Sequence, residues 1–256
     1  MRKYGCLVVE GPHDVEFTYR LLSPFDLNRI QLIEHLDSRL TPLIPSEFPV
    51  KGDLQKRVSV PLFLQNDTHC IAIHSAIGDS QLVNTLYDDI ELFDENPFSG
   101  VGILLDSDKQ ISPDKRYFCI KTELQKKALV FPDIPGQVST TSPKMGMYVL
   151  PDNQNIGTLE DLLLKSAATM YPGLLPVAKN YASQAKVCGL QNKELQDFNK
   201  PAGENKAVIG AMANIFRPGK SVQVSIQDND WLRGQALLIP QIKAVQDFLK
   251  ALFDIP

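Results

Sequence analysis

The sequence predicts an α/β protein with a Rossmann-like, mostly parallel sheet flanked by helices. Continuous apolar runs of strand length recur along the first part of the chain, and each is followed by a segment in which apolar residues have helical spacing. Strands that alternate with helices in this way are typical of parallel βαβ units. From about residue 171 onward helical spacing dominates, which predicts a mainly helical C-terminal extension.

The first pair of elements is a strand and a helix joined by a sharp turn. Residues 4–10 form a nearly continuous apolar run, which predicts a buried strand. Gly11 and Pro12 interrupt the run, and residues 14–22 then place apolar side chains at helical spacing. Residues 25–68 are divided by prolines, so we expect an insertion or extended connection there, with short edge strands.

Strand and helix patterns alternate again after the insertion. The predicted strands cover residues 70–74, 101–105 and 147–150. The predicted helices cover residues 82–90, 113–128 and a segment from 159, and the clearest later helices cover 205–216 and 239–253. Pro113 suits the first position of its helix, and Thr158 is a plausible N-terminal cap.

The predicted elements fall into two parts. We expect a catalytic domain at residues 1–170, which includes the insertion, and a mainly helical extension at residues 171–256 packed on the same domain. No Gly/Ser-rich linker separates them, so a second independent domain is not required.

Composition narrows the class of protein. The hydrophobic content of 43% and charged content of 22% are those of an ordinary globular protein. The net charge of −4 gives no overall basic surface, so a nucleic-acid enzyme would need a local patch. The basic residues between positions 115 and 127 are the best candidates for contacts with a phosphate backbone. For Trp231, which has Arg233 nearby, we prefer a packing role to stacking on a base.

The cysteines and the termini predict a cytoplasmic protein. The cysteines are scattered, without a CxxC pair, which argues against a zinc site or a disulfide framework. Cys6 and Cys70 lie in apolar runs and are expected to be buried thiols. The N-terminus has no signal-peptide pattern, and no apolar run has the roughly 20 residues that span a bilayer. We therefore expect no membrane association.

Acidic residues stand at the ends of two predicted strands. Glu10 closes the first strand and Asp14 opens the helix after it, while Asp106 and Asp108 follow the strand at 101–105. Ligands bind at the carboxyl edge of open α/β sheets, and carboxylate oxygens are the ligands of hard divalent cations. The pattern therefore predicts metal-dependent chemistry on phosphates.

Simpler interpretations exist for several of these acids. Asp14 lies in the first turn of a helix, where a carboxylate complements the helix dipole, and this is the better interpretation of Asp14 alone. The same applies to Glu160 and Asp161, of which Glu160 is the more plausible metal ligand. Asp79 is either a further ligand or the cap of the following helix. A D-x-D pattern alone is weak evidence.

These motifs together resemble the Toprim family, the catalytic module of topoisomerases, bacterial primases and overcoming-lysogenization-defect (OLD) nucleases. The resemblance rests on Val8-Val9-Glu10-Gly11 with Asp14, and on Leu104-Leu105-Asp106-Ser107-Asp108. The acid four residues after the glutamate is similar to the nuclease branch. The segments 150–153 and 157–163 are similar to small, stand-alone prokaryotic Toprim proteins related to that branch.

The resemblance implies an endonuclease, acting on DNA more than RNA, in phage defence or nucleic-acid repair. It implies that Mg²⁺ or Mn²⁺ binds to Glu10, Asp14, Asp106, Asp108 and Glu160. Glu10, Asp106 and Asp108 would then act in catalysis at a two-metal site. Lys206 would stabilise the scissile phosphate, with Lys200 as a rival for that role.

Two alternatives stay open from the sequence. In the first, the chain is a latent or non-catalytic Toprim subunit that binds nucleic acid or a partner ATPase. The chain lacks the GxxxxGK[ST] loop of an ATPase, so that partner would be a separate polypeptide. Self-association into a homo-oligomer is a further partner expectation. The other alternative is a phosphohydrolase that uses Asp106 as a covalent nucleophile, in which Glu10 would have no role.

Overall fold

The computed structural model describes residues 2–47, 59–107 and 111–256. Its strands, in chain order, are Lys3–Val9 (β1), Asn28–Arg29 (β2), Leu62–Gln65 (β3), His69–Ser75 (β4), Gly100–Asp106 (β5) and Lys144–Leu150 (β6). They form one 6-stranded sheet in the order β2-β3-β4-β1-β5-β6. The predicted α/β class, with helices flanking a mostly parallel sheet, is thereby confirmed.

The central strand β1 has a parallel neighbour on each side. In the pairing, Val9 lies opposite Ser75 of β4 and opposite Leu104 of β5. The chain therefore runs from β1 to one side of the sheet and then returns across β1 to β5 and β6. In open α/β sheets the crevice at such a reversal is the usual place for a ligand.

Strand β6 continues the parallel part of the sheet. A backbone hydrogen bond from Lys144 N to Ser99 O joins the starts of β5 and β6 at 2.9 Å. A second, from Ser107 N to Leu150 O, joins their ends at 3.3 Å. Because both strands start and end together, β6 is parallel to β5.

The insertion at 25–68 supplies the other edge of the sheet. Strand β3 is antiparallel to β4, and the two-residue β2 is antiparallel to β3. Short 3-10 helices lie at Ile33–His35 and Ser38–Leu43. The predicted short edge strands are therefore present, whereas residues 48–58 of the predicted insertion lie outside the described residues.

The helices follow the predicted pattern with small shifts at their ends. Within the described ranges they are Pro12–Leu22 (α1), Leu82–Glu91 (α2), Pro113–Lys126 (α3), Leu159–Met170 (α4), Leu174–Ala185 (α5), Gly203–Phe216 (α6), Val222–Asp228 (α7) and Pro240–Phe253 (α8). Pro113 begins α3 and Thr158 is the N-cap of α4, as predicted. No helix in this part of the chain is long and apolar enough to cross a membrane.

Glycines in the strands allow the end of α8 to lie against the sheet. A Cβ atom added to Gly100 would lie 2.3 Å from the backbone oxygen of Leu252. One added to Gly5, which pairs with Gly100, would lie 2.6 Å from the ring of Phe253. These strands therefore need glycine for close packing rather than for unusual backbone angles.

Helix α2 covers the opposite face of β1. Successive side chains of a strand point to opposite faces, so Cys6 points away from the face of Gly5. The Cys6 thiol lies 3.7 Å from a carboxylate oxygen of Asp89 on α2. Cys6 and Cys70 are fully buried free thiols, as the sequence predicted.

Contacts divide the chain into two compact units. The first comprises residues 1–105, 117–148 and 247–256, and the second comprises 106–116 and 149–246. Each unit draws on several stretches of chain, so the division at residue 170 stays a prediction.

In the second unit Trp231 is fully buried against the rings of Tyr171 and Phe216, and its indole N–H donates to Ser225 Oγ at 2.9 Å. The packing role preferred for Trp231 is confirmed.

Candidate functional site

The end of β1 leads directly into α1 in the first unit. Glu10 follows the last residue of β1, and Gly11 is the N-cap of α1. The Asp14 side chain is 8% exposed and accepts a hydrogen bond from Gly11 N at 2.9 Å. Asp14 therefore closes the first turn of the helix, which is the simpler interpretation of this acid.

The neighbouring strand end is tied to Glu10 through the backbone. Gly78 N, just after β4, donates to the carbonyl oxygen of Glu10 at 3.0 Å. Asp79 begins a short 3-10 helix, and the N-cap of α2 is Gln81, not Asp79. The interpretation of Asp79 as the cap of α2 is therefore wrong.

In the second unit the carboxylate of Asp106 is held at the start of α4. Asp106 is the last residue of β5, and its Oδ1 accepts a hydrogen bond from Leu159 N at 2.8 Å. Leu159 is the first residue of α4, where backbone N–H groups have no partner within the helix. The positive end of the helix dipole stabilises the negative charge of this carboxylate.

Ser107 fastens the D-x-D segment to the loop before α4. Its side chain is fully buried, accepts from Gly157 N at 2.8 Å and donates to Gly157 O at 3.0 Å. A Cβ atom on Gly157 would lie 2.9 Å from Asp161 Oδ2, so a larger residue here would displace that carboxylate. Sequence reasoning did not identify Ser107, because its partner lies 50 residues away. Asp108 lies outside the described residues.

Asp161 has a structural role in the first turn of α4. Its Oδ2 accepts from Thr158 N at 2.8 Å, and its Oδ1 accepts from Asn205 Nδ2 at 2.8 Å. Both oxygens are thereby bonded, which leaves Glu160 as the more plausible metal ligand of the two. Asn205 was not singled out in the sequence, and only its position beside Lys206 could have suggested it.

Glu160 is the most unusual acid of the second unit. Its side chain is 8% exposed, and Oε1 lies 3.7 Å from Nζ of Lys206. Its Oε2 is buried and has no hydrogen-bond partner in the part of the chain that is described. A buried carboxylate oxygen without a partner is costly, so this atom is suited to a bound cation or an ordered water.

The structure distinguishes the two candidate lysines. Lys206, on α6, is 63% exposed and close to Glu160. Lys200 instead pairs with Asp197 at 2.6 Å on the surface. Lys206 is therefore the better placed of the two for a phosphate near Glu160.

The predicted basic run between residues 115 and 127 is only partly available for nucleic acid. In the first unit, Lys121 is buried and pairs with Asp133. Lys127 lies over the ring of Tyr87, 4.0 Å from its centre. These two side chains are engaged in internal contacts, which weakens the expectation of a continuous phosphate track between residues 115 and 127.

Each unit thus contains its own part of the predicted ligand set. The first holds Glu10 and Asp14, and the second holds Asp106 and Glu160 with Lys206. Across residues 2–47, 59–107 and 111–256, no three His, Cys, Asp or Glu side chains are grouped so that they could hold a metal ion. The ligand set predicted from the sequence stays a prediction.

Comparison with known proteins gives the fold and the family. The chain is similar to the crystal structure of hypothetical protein PH0156 from Pyrococcus horikoshii OT3, with 16% sequence identity and a TM-score of 0.51. The match covers 98% of this chain and 95% of that chain, and at this identity it shows the fold alone. No curated protein matches the chain. The model of the family described as "Protein of unknown function (DUF3226)" matches residues 4–254, so the chain belongs to this family.

Proposed function

We propose that the chain is a Toprim-like nuclease that uses Mg²⁺ or Mn²⁺ to hydrolyse phosphodiester bonds in nucleic acid, preferably DNA. The main support is Glu160, whose buried Oε2 has no hydrogen-bond partner within the described chain. Asp106 accepts a hydrogen bond from the backbone N–H of Leu159, the residue before Glu160, so both acids lie at the start of α4. A divalent cation would compensate the charge that the buried Glu160 carboxylate otherwise holds at a cost.

The donor set suits a hard cation. Carboxylate oxygens are the preferred protein ligands of Mg²⁺, which also keeps several waters. The ligands in this proposal are the acids Glu10, Asp14, Asp106, Asp108 and Glu160. When bound, the cation would supply an activated water and would neutralise charge that develops on the phosphate.

The sheet topology supports the choice of Glu10 and Asp106 as candidate ligands. β1 and β5 are parallel neighbours, and the chain reverses direction across the sheet at this pair. Glu10 follows one of these strands and Asp106 ends the other. Ligands of open α/β sheets bind at this kind of strand end, which supports each acid as a candidate ligand.

The chain's own residues have separate tasks in this proposal. The bond from Leu159 N fixes the orientation of the Asp106 carboxylate, and Ser107 holds the segment that carries it. Asp161 fixes the first turn of α4 and thereby Glu160. Lys206, which is 63% exposed, would contact a phosphate oxygen of the substrate and stabilise its negative charge.

The test is cleavage of plasmid and single-stranded DNA by the purified chain with Mg²⁺, Mn²⁺ or EDTA. We expect cleavage with either metal and none with EDTA. Asp106→Asn and Glu160→Gln should each lower the rate at least 100-fold. The matched controls are Asp67→Asn and Glu123→Gln, which change exposed acids.

Metal binding is measured separately by the thermal midpoint of unfolding. A ligand present at 100 times its Kd stabilises a folded protein by about 2.7 kcal/mol. Mg²⁺ should raise the midpoint of the wild type and of Glu123→Gln, and raise it less for Glu160→Gln.

If Glu10→Ala and Asp106→Ala both cleave DNA at the wild-type rate, the assigned residues are wrong. If the chain binds Mg²⁺ and DNA but cleaves no substrate, the latent subunit with a separate ATPase replaces the nuclease.

A further inference from the structure

A cavity of about 710 Å³ lies at the carboxyl end of β4 in the first unit. Its walls come from residues 42–46, from the strand end at 74–77 and from one face of α2. A volume of this size is typical of sites that bind small organic molecules. None of the acids or lysines of the proposed metal site lines it.

Helix α2 presents a polar stripe to this cavity. Gln81 at its N-cap, and Asn84, Thr85 and Asp88 within it, all line the cavity. Their spacing of three, four and seven residues places them on one face of the helix. Leu86, which points elsewhere on the same helix, is fully buried.

A buried pair of side chains forms another part of the wall. Both carboxylate oxygens of Asp89 lie 2.9–3.0 Å from Nδ1 of His74, and Asp89 is only 4% exposed. Nε2 of His74 lies 3.2 Å from the carbonyl oxygen of Ser59. Both ring nitrogens of His74 therefore have hydrogen-bond partners, which fix the orientation of the imidazole in this wall of the cavity.

The charges of the lining residues restrict the ligand. Of the described residues that line the cavity, Asp88 and Asp89 are acidic, His74 is paired with Asp89, and none is a lysine or arginine. A phosphate or other anion would lose its hydration and face the Asp88 carboxylate, so these described residues disfavour it. An uncharged ligand with N–H donors and acceptor atoms fits the amides, hydroxyl groups and carboxylates that are present.

The backbone connects the cavity to the end of β1. Ile77 lines the cavity, and the next residue, Gly78, donates to the carbonyl oxygen of Glu10. Ile77 has φ = 54°, which is rare and costly for a β-branched residue. Backbone strain of this kind is found in turns, at ligand sites and in switch regions. β4 and β1 are adjacent strands, about 4.8 Å apart.

We propose that this cavity binds a nucleobase of the substrate strand, next to the phosphate that the nuclease would cleave. The proposal rests on the proposed function, because that function places a nucleic-acid strand at the end of β1. Bases are the uncharged part of such a strand, and Asn and Gln amides are common partners of base edges. The cavity would give the enzyme a preference for the base beside the cut.

The experiment measures binding of the four deoxynucleosides, without phosphate and without metal, by saturation-transfer NMR on the full chain. We expect at least one of them to bind. Asn84→Leu should weaken that binding at least tenfold, because it replaces an amide of the cavity with an apolar side chain. Thr85→Leu is the second variant, and Asn180→Leu, an exposed asparagine on the second-unit helix α5, is the matched control.

The outcomes separate this proposal from the nuclease proposal. If no deoxynucleoside binds, or if Asn84→Leu and Thr85→Leu both bind like the wild type, the base pocket is overturned even when the chain cleaves DNA. If a deoxynucleoside binds and both variants lose it, the pocket stands even when Mg²⁺ and Mn²⁺ support no cleavage. Circular dichroism of each variant confirms that its fold is intact.

Discussion

Ser107 shows how one buried hydroxyl can hold a segment of candidate ligands in place. It makes two hydrogen bonds with the backbone of Gly157 and is not exposed to solvent. Neither bond involves the carboxylates on either side of it in the sequence. We expect Ser107 to affect activity through the position of Asp106, as a positioning residue.

Ser107→Ala should lower the free energy of unfolding by about 1–3 kcal/mol, because it leaves a buried N–H and a buried C=O of Gly157 without partners. Urea unfolding followed by circular dichroism measures the change. Ser80→Ala, at an exposed serine, should stay within about 0.5 kcal/mol of the wild type. Equal losses in both variants would show that the Ser107 bonds do not stabilise the fold.

His69 connects stability to pH. It is 5% exposed, and Nε2 lies 3.0 Å from the carbonyl oxygen of Phe253. Burial lowers the pKa of His69 below its ordinary value of 6.5, although the backbone hydrogen bonds oppose this shift. The unfolded chain therefore binds a proton at higher pH than the folded chain does.

The His69 contribution is fully present above about pH 6.5 and is lost as the pH falls towards the lower, folded pKa. We expect the free energy of unfolding to fall between pH 7.5 and pH 5. His69→Gln should show a smaller decrease over this range, whereas His35→Gln, at an exposed histidine, should keep the wild-type decrease. Urea titrations at a series of pH values provide the comparison, and identical slopes for all three proteins would contradict the assignment to His69.

The residues of the candidate site were predictable to different degrees. Glu10 and Asp106 stand at the ends of apolar runs, so the strand pattern alone identified them. Glu160 and Lys206 followed from the family resemblance, and the structure shows them 3.7 Å apart. Ser107 could not be predicted in the same way, since its role depends on a contact with a loop far along the chain.

At the scale of elements, the parallel strands were predicted within a few residues and the edge strands were not located. Buried strands read as continuous apolar runs, which is why β1 and β5 were clear in the sequence. β2 has two residues and an exposed side, so it leaves no periodic signal. The sequence also identified α8 as a helix, but nothing in its periodicity indicated that it packs on strand glycines.

The glycines under α8 give a paired prediction. Gly100→Ala places a Cβ atom 2.3 Å from Leu252 O, a backbone atom that cannot move aside easily. We therefore expect the free energy of unfolding to fall by about 1–3 kcal/mol. Gly210→Ala adds a Cβ atom with no neighbour within 4 Å, in the interior of α6. Alanine favours a helix there, so a gain of about 0.5–1 kcal/mol is expected. The urea midpoints of the two variants should shift in opposite directions from that of the wild type. A Gly100→Ala variant as stable as the wild type would contradict the packing of α8 on the strand glycines.

At the scale of the whole molecule, the chain passes between the two units more than once. The last residues, 247–256, belong to the first unit although residues 149–246 belong to the second. Sequence periodicity reports on one element at a time, so it identifies helices but does not assign them to a unit. Assignment depends on contacts between distant residues, which a single sequence does not reveal.

Removal of residues 247–256 should therefore disrupt the first unit. The segment contributes Phe248, Leu249, Leu252 and Phe253, which are all at most 5% exposed. Burial of each such side chain contributes about 1.5–3 kcal/mol, so the four together contribute about 6–12 kcal/mol, which is comparable with the whole free energy of unfolding of a typical domain, about 5–15 kcal/mol. We expect the truncated chain to lose its cooperative unfolding transition in circular dichroism and to bind a hydrophobic dye. Removal of Pro256 alone, an exposed residue, is the control and should leave the transition unchanged.

The single tryptophan, Trp231, lies in the second unit, so its fluorescence reports that unit separately. An unfolding midpoint equal to that of the full chain would show that this segment is not part of the first unit's core.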